Sequence, residues 1–233
     1  MDVLYFLTER TKFIRYLYEN ASQPFLETKR KIEAHEEPFE PPYSEDPEPP
    51  FLQEWLEADE ALEVLGRNCI SMLSESLKLY FTTWEAQLWR DRPCETHFKK
   101  LFKENGFLHG YRACFSEALT INWDECPADF SILEQITLAR NADQHPESIT
   151  TIRVSHNEYA RRKHPQLFFV RESEKDLMRD PDYAAGPWFD PTLHVSSETL
   201  LEAITQVERL ADWLEERILD AKFPRRNSTS LSE

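Results

Sequence analysis

The chain has 233 residues, with 43 acidic and 27 basic side chains, a formal charge of −16 and a pI near 4.9. This excess of acidic residues excludes a protein that binds duplex DNA through a basic surface. Four glycines, fifteen prolines and 12% aromatic residues exclude collagen-like, low-complexity, disulfide-scaffold and wholly disordered chains. The sequence is long enough for one globular domain with a full hydrophobic core.

The sequence has no run of about 18 apolar residues, so it predicts no transmembrane helix. Near its start, Glu9, Arg10 and Lys12 interrupt any apolar core of a signal peptide. The four cysteines stand 25, 20 and 12 residues apart, and none belongs to a Cys-x-x-Cys pair, which disfavours a structural zinc site. We therefore expect a cytoplasmic protein with reduced, buried thiols.

Helical periodicity begins near the N-terminus, where Leu7 and Ile14 fall on one apolar stripe. Ser22 and Pro24 suit the start of a second helix, which is either separate or a kinked continuation of the first. The segment 1–36 is therefore predicted as a helical unit that packs on the rest of the bundle.

An acidic, proline-rich stretch follows at 37–51. Six prolines between positions 38 and 50 exclude helix and sheet and favour an extended, polyproline-like loop. Segment 37–60 contains nine acidic residues and no basic one, so it supplies −9 of the −16 net charge. The loop is an electrostatic guard for a site, a docking strip for a basic partner, or a solvated linker.

The longest periodic run covers 52–88 and predicts a central helix, continuous or interrupted. Its apolar residues form two stripes, which is the pattern of a helix buried on two sides. After Pro93, a short helix is predicted to end at Asn105-Gly106, and another to cover 108–119.

Two short segments, 149–154 and 167–170, have the β-branched or aromatic bias of extended arms. Ser196 is the predicted cap of a last amphipathic helix, and 223–233 is expected to be a frayed tail. We treat 52–222 as one helical domain. The sequence therefore predicts an all-α bundle of long antiparallel helices, with a short extended excursion before its C-terminal helix.

The helix predicted between Asp129 and Pro146 carries polar groups where its apolar stripe should continue. The helical repeat predicts that Arg140 points to the same side as Leu133, where it must be ion-paired, or line a cavity or a subunit interface. His145 lies about 140° around the axis from Arg140, but the following proline lets the last turn unwind toward the arginine. The structural alternative is an interior ion pair for Arg140 and a dipole-favoured position for His145.

Other catalytic signatures are missing from the sequence. It contains no Gly-x-Gly-x-x-Gly or P-loop, no Glu-x-x-His pair of the ferritin-like type, and no Gly-x-Ser-x-Gly elbow of a serine hydrolase. We therefore predict neither a cofactor nor a metal.

Residues 138–145, Leu-Ala-Arg-Asn-Ala-Asp-Gln-His, resemble the signature of the HEPN superfamily, Arg-x(4–6)-His with a polar residue directly after the arginine. The order of predicted elements over 52–219 is similar as well. The resemblance implies a helical bundle that dimerises and places two copies of the motif in one cleft. Many HEPN proteins are metal-independent endoribonucleases, including toxins and anti-phage defence proteins.

The resemblance also implies a role for each motif residue in cutting RNA by 2′-OH attack. His145 is the general base or acid, since imidazole titrates near neutrality. Arg140 holds the phosphate bidentately and offsets its developing charge. Asn141 orients the phosphate or the imidazole, and the product ends in a 2′,3′-cyclic phosphate.

One departure from the family pattern concerns regulation. HEPN toxins paired with nucleotidyltransferases continue the motif as Arg-x4-His-x-Tyr, but Glu147 stands where that tyrosine, an AMP acceptor, would be. Regulation by tyrosine modification is therefore not implied. Arg153 and the basic run Arg161, Arg162 and Lys163 are weaker candidates, either for phosphate contacts or as a solvated turn.

Two functions remain open from the sequence. The first is a homodimeric ribonuclease of HEPN type, acting on RNA as a toxin or anti-phage effector and controlled by an antitoxin or another protein partner. The second is a non-catalytic HEPN-like module that binds a protein or nucleotide partner, in which Arg140 and His145 are purely structural.

Overall fold

A computed structural model describes residues 2–43, 47–89, 93–144, 153–179 and 191–223. Within these ranges the chain is an all-α bundle without a strand, as the sequence predicts. The β-type contact that they contain is one isolated bridge between Ser155 and Thr192. In the same ranges, no helix combines the length and apolar character needed to span a membrane.

The described helices are α1 (Val3–Ala21), α2 (Gln23–Ala34), α3 (Leu52–Leu88), α4 (Cys94–His97), α5 (Lys99–Asn105), α6 (Phe107–Leu119), α7 (Phe130–Gln144), α8 (Glu158–Lys163), α9 (Glu172–Arg179) and α10 (Ser197–Lys222). A 3₁₀ turn at Trp123–Glu125 lies between α6 and α7. The Asn105-Gly106 stop is confirmed, because α5 ends at Asn105 and Gly106 has the positive φ of 82° that glycine tolerates.

Helix α2 is a kinked continuation of α1. Ser22 keeps an αR backbone between the two helices, and its N–H still donates to the carbonyl of Tyr18 at 3.0 Å. The predicted cap is wrong in one respect, because the Ser22 side chain makes no capping hydrogen bond. Pro24 occupies the first turn of α2, where a missing backbone N–H is harmless.

The central helix α3 has the predicted bounds and is uninterrupted over its 37 residues, a length of roughly 55 Å. Helices α1, α2, α6, α7 and α10 all pack on it. Two buried faces are confirmed by its inward side chains, which include Ile70, Leu73, Leu77, Tyr80, Phe81 and Trp84.

Helix α10 closes the core against α1, α3 and α7. The predicted Ser196 cap is confirmed as a reciprocal capping box, in which Ser196 Oγ accepts from the Thr199 N–H at 3.2 Å and Thr199 Oγ1 accepts from the Ser196 N–H at 3.0 Å. Leu200, Ile204 and Val207 then follow at helical spacing and are fully buried.

The expectation of four thiols is wrong for two of the cysteines. Cys94 and Cys114 form a disulfide with a Cα–Cα distance of 5.7 Å, which ties α4 to α6. No local sequence signature marks this disulfide, because the two cysteines meet only after the chain folds back. Cys69 and Cys126 remain thiols, and burial raises the pKa of Cys69 to about 11.

The second predicted extended arm is not found, whereas the described end of the first makes β-type contact: the Val154 carbonyl accepts a hydrogen bond from the Leu193 N–H at 2.8 Å, beside the Ser155–Thr192 bridge. Segment 167–170 forms bends, and Phe169 and Val170 are buried as anchors without a partner strand. Of segment 149–154, residues 149–152 lie outside the described residues, as do 180–190 and 224–233 of the predicted loop and tail.

The basic run after the motif was also predicted with the wrong conformation. Arg161, Arg162 and Lys163 belong to helix α8 and not to a turn. Asn157 caps this helix by accepting a hydrogen bond from the Ala160 N–H at 2.8 Å.

Candidate functional site

Residues 138–144 of the HEPN-like motif lie at the C-terminal end of helix α7. Asp129 caps its start, as predicted, because Asp129 Oδ1 accepts a hydrogen bond from the Ser131 N–H at 2.8 Å. Leu133, Ile136 and Ala139 are buried on one side of the helix, which packs on α3 and α10. The motif therefore extends from a helix whose rotation is fixed by the core.

Arg140 lies at the edge of this buried stripe, because Ala139 takes the inward position of that turn. Arg140 is half-buried and Asn141 is exposed. The Arg140 Nη1 group donates to Asn141 Oδ1 at 3.1 Å. No carboxylate of the described residues pairs with Arg140, so the structural alternative of an interior ion pair finds no partner there. The two motif residues instead form one polar unit at the surface.

The end of α7 is anchored at Asp143, two residues before His145. Arg67 Nε donates to Asp143 Oδ1 at 3.0 Å, and Ser71 Oγ approaches Asp143 Oδ2 at 3.5 Å. The side chains of Arg67 and Asp143 are only 12% and 22% exposed. His145 itself lies outside the described residues, which stop in α7 at Gln144. Sequence reasoning missed this anchor because its partners are 76 residues apart.

A cavity of about 410 Å³ borders this anchor. Arg67 lines it, together with Arg153, Trp55, Glu63 and Arg171. Arg153 is exposed, so this weaker candidate shares a cavity with the residue that holds Asp143. No carboxylate of the described residues pairs with Arg153, which leaves its guanidinium able to meet a phosphate.

The far wall of the cavity is a compensated ion network. Arg171 Nη2 lies 2.9 Å from Asp59 Oδ2 and 2.5 Å from Glu63 Oε1, and His194 Nδ1 lies 2.6 Å from the same Glu63 oxygen. Burial alone would raise the pKa of Glu63, but the hydrogen bonds and charges of His194 and Arg171 outweigh it and lower the pKa. The Arg171 charge is therefore already balanced inside the protein.

The other weaker candidates do not join Arg140. Arg161 is half-buried in α8, and Arg162 pairs on the surface with the glutamate that starts this helix, at 2.5 Å. Lys163 pairs with Glu134, which lies six residues before Arg140 and therefore about 9 Å from it along the axis of α7. The basic run thus contacts the middle of α7 and not its motif end.

Two histidines, one on each side of α8, are buried. His156 is 5% exposed and its Nε2 lies 2.7 Å from the carbonyl oxygen of Phe169. Burial lowers the pKa of His156, as it does for an imidazole that is costly to charge. His164 is 7% exposed. Their sequence context gave no sign of this, because neither residue belongs to a periodic segment.

In the part of the chain that the structure describes, no three His, Cys, Asp or Glu side chains are grouped to hold a metal ion. Arg140, Asn141, the Arg67–Asp143 pair and the cavity that Arg67 lines lie at the same end of α7. Comparisons with protein-family models, curated proteins and solved structures find no match to this chain.

Proposed function

We propose that this protein is a metal-independent endoribonuclease of HEPN type that acts in the cytoplasm as a toxin or anti-phage effector. One observation carries the proposal. Arg140 and Asn141, five and four residues before His145, form a hydrogen-bonded pair in the last turns of α7, and the Arg67–Asp143 ion pair fixes that end of the helix. Cavity-lining Arg153 supports it as a further cation for the RNA backbone.

The chemistry follows from the residue types. His145 takes the proton of the 2′-OH as that oxygen attacks the adjacent phosphorus, and the departing 5′-oxygen receives a proton from an imidazolium. Arg140 binds two phosphate oxygens through its planar guanidinium and stabilises the extra charge of the transition state. Asn141 orients Arg140 through the 3.1 Å hydrogen bond. The products are a 2′,3′-cyclic phosphate and a 5′-hydroxyl.

The proposed active form is a homodimer with both motifs in one cleft. Helix α1 supports a protein contact near the motif, because Phe6 and Phe13 are each 54% exposed. Both line a groove that extends to Gln144, the residue before His145. Exposed aromatic side chains of this kind are typical of protein interfaces. The same face also favours the second candidate function, a non-catalytic module that binds a protein partner.

A cleavage assay tests the ribonuclease proposal. The purified protein is incubated with a labelled mixed-sequence RNA in EDTA, beside the variants His145→Ala and Arg140→Ala. Each substitution should lower the cleavage rate by about 10²-fold or more, because a general base or a charge-stabilising group contributes at that level. Cleaved 3′ ends should carry a cyclic phosphate.

Arg209→Ala is the matched control, because Arg209 is an exposed arginine on α10. It should cleave RNA like the wild type. If wild type and His145→Ala give the same cleavage, or neither cuts RNA, the ribonuclease proposal is wrong and the binding module is favoured.

A further inference from the structure

A second polar constellation lies at the opposite end of α7. Ser131 is in the first turn of this helix and is exposed, and its Oγ lies 3.1 Å from Nδ1 of His164. Glu134 follows one turn later, and its Oε2 lies 3.1 Å from Nε2 of the same imidazole. The Ser131 hydroxyl and the Glu134 carboxylate thus lie beside opposite nitrogens of the buried His164 ring.

The tautomer of His164 follows from its two neighbours. The Nε2 atom faces the carboxylate at ion-pair distance, although the angle is not that of a hydrogen bond. A proton on Nε2 is therefore favoured, and it leaves Nδ1 as the acceptor for the hydroxyl of Ser131. The Gln135 Nε2 group donates to Ser131 Oγ at 3.3 Å, which holds the oxygen in place.

Glu134 is held ionised by its surroundings. His109 Nε2 lies 3.0 Å from Glu134 Oε1, and the Lys163 ammonium contacts the same oxygen. Burial alone would raise the pKa of Glu134, but these hydrogen bonds and charges outweigh it and lower the pKa to about 2. A carboxylate that stays charged next to His164 stabilises the imidazolium that forms when the ring accepts a proton.

A cavity of about 430 Å³ opens at Ser131. Its apolar wall consists of Ile132, Leu167, Phe168 and Met178. Polar groups line the rest of the cavity: Asp129, Gln166, and Lys175 and Arg179, which pair with Glu172 and Asp176 of their own helix. The apolar wall of this cavity suits a small, apolar acyl chain.

We propose that Ser131, His164 and this cavity form a second catalytic site, which hydrolyses small carboxylic esters with an apolar acyl group. Ser131 Oγ bonds to the carbonyl carbon and its proton passes to His164 Nδ1. The bond to the alcohol oxygen breaks, and the imidazolium returns the proton to the leaving alcohol. Water then attacks the acyl-serine with the same base, which releases the carboxylic acid and restores the hydroxyl.

Glu134 is a positioning residue in this scheme, because it acts through His164. In the common serine triad Nε2 of the histidine faces the serine and Nδ1 faces the carboxylate, whereas here the two nitrogens are exchanged. The hydroxyl, the imidazole and the carboxylate keep the same roles. No Gly-x-Ser-x-Gly pattern surrounds Ser131, so the site is recognised by geometry alone.

The site is separate from the ribonuclease motif. Ser131 precedes Arg140 by nine residues of one helix, a distance of about 14 Å along its axis. The two proposals can therefore fail independently. Ser131→Ala should leave RNA cleavage unchanged, and His145→Ala should leave ester hydrolysis unchanged.

The test uses two probes on the full chain: a fluorophosphonate, which labels activated serines, and p-nitrophenyl butyrate. The wild type should be labelled on the peptide that contains Ser131, and Ser131→Ala should lose both the label and ester hydrolysis. Ser197→Ala is the matched control, since Ser197 is an exposed serine in the first turn of α10, and it should behave like the wild type.

Two further variants separate catalysis from folding. His164→Asn keeps an acceptor near the position of Nδ1 but takes no proton, so labelling should slow by about 100-fold or more. Glu134→Gln should lower kcat for p-nitrophenyl butyrate with KM unchanged, whereas a merely structural role would leave kcat per folded molecule unaltered. Circular dichroism confirms that each variant is folded before rates are compared.

Two results would overturn the proposal. One is equal labelling of wild type and Ser131→Ala. The other is a folded wild type that neither reacts with the fluorophosphonate nor hydrolyses the ester faster than Ser131→Ala.

Discussion

Asp143 shows how one side chain can support a motif without being part of it. The residue lies two positions before His145, and its carboxylate binds Arg67 of α3 at 3.0 Å in a largely buried setting. The ion pair fixes the last turn of α7 relative to the core. The geometry of Arg140 and Asn141 depends on that fixed turn.

Replacing Asp143 by Asn should therefore cost both stability and activity. We expect a loss of about 1–3 kcal/mol in the free energy of unfolding, because the substitution leaves the Arg67 charge half-buried without its partner. RNA cleavage should fall although Arg140 and His145 are intact. Urea denaturation and the cleavage assay measure the two effects.

The matched control is Asp176→Asn, whose pair with Arg179 is exposed on both sides. It should change the free energy of unfolding by less than about 0.5 kcal/mol. Equal effects of the two substitutions would contradict the anchoring role of Asp143.

The lowered pKa of Glu134 predicts how the free energy of unfolding changes at acid pH. Its pKa is lowered from 4.5 to about 2 in the folded protein, so its ionised form stabilises the fold above pH 4.5. That contribution is lost as the pH falls from 4.5 toward 2, and it amounts to at most about 3 kcal/mol. Glu134→Gln should therefore be clearly less stable than wild type at pH 7 and differ much less at pH 3.

Urea denaturation at the two pH values measures this difference. Glu158→Gln is the control, because its ion pair with Arg162 is exposed and should contribute little at either pH. A destabilisation by Glu134→Gln that is the same at pH 7 and pH 3 would refute the linkage.

At the scale of elements, local periodicity predicted most of the helices. The bounds of α3, the Asp129 cap of α7 and the Ser196 cap of α10 are as the sequence predicts. These features depend on residues within one or two turns of each other, so a single sequence contains them.

The features that sequence reasoning missed depend instead on contacts between distant parts of the chain. The Cys94–Cys114 disulfide, the contact of His164 with Glu134 and the Arg67–Asp143 anchor all join residues that are far apart in the chain. Segment 167–170 was predicted as an extended arm because buried apolar residues in a loop have the same composition as a strand. The candidate site was therefore predictable as a motif, but not its anchor or its neighbouring cavity.

The disulfide should contribute to the stability of α4 and α6. It closes a sequence separation of 20 residues, for which loop entropy predicts about 3 kcal/mol. Reduction with dithiothreitol should lower the urea midpoint of the wild type. The Cys94→Ala/Cys114→Ala variant should match the reduced wild type and no longer respond to the reductant, and any remaining response would place the effect on Cys69 or Cys126.

Replacing Gly66 by alanine should destabilise the protein, which is the opposite of the usual effect of this substitution inside a helix. In the interior of α3, alanine would normally be the better residue by about 1 kcal/mol. Here a Cβ would lie 2.6 Å from the backbone oxygen of Val195, so Gly66→Ala should destabilise by about 1–3 kcal/mol. Asn68→Ala, on the exposed side of the same helix, should be neutral or stabilising, and thermal unfolding measures both.

At the scale of the whole molecule, the net charge of −16 is unevenly placed. Segment 37–60 supplies nine of the negative charges. One of these residues, Asp59, forms ion pairs with Lys29 and Arg171. Arg67 and Arg153 line the cavity beside the motif. Asp59, Glu60, Glu63 and Glu174 line it as well, so the cavity as a whole is not positively charged. A phosphate would therefore have to be bound by single guanidinium groups such as that of Arg153.

A mixed-subunit experiment tests whether the proposed ribonuclease site needs two chains. Arg140→Ala and His145→Ala are each expected to be inactive, but unfolding and refolding them together yields dimers with one intact arginine and one intact histidine. Such dimers should recover part of the wild-type cleavage rate, because a shared cleft accepts each residue from either chain. If the refolded mixture stays inactive while refolded wild type regains its rate, each chain works alone.

The position of α10 in the chain has a consequence for how the protein is made. Helix α10 supplies a wall of the core to α1, α3 and α7, yet it is synthesised after all of them. Until Lys222 has left the ribosome, α10 cannot cover its side of α3, so the apolar residues of α3 on that side lack their partner. We expect ribosome-bound chains that stop before Ser197 to be sensitive to protease and bound by chaperones.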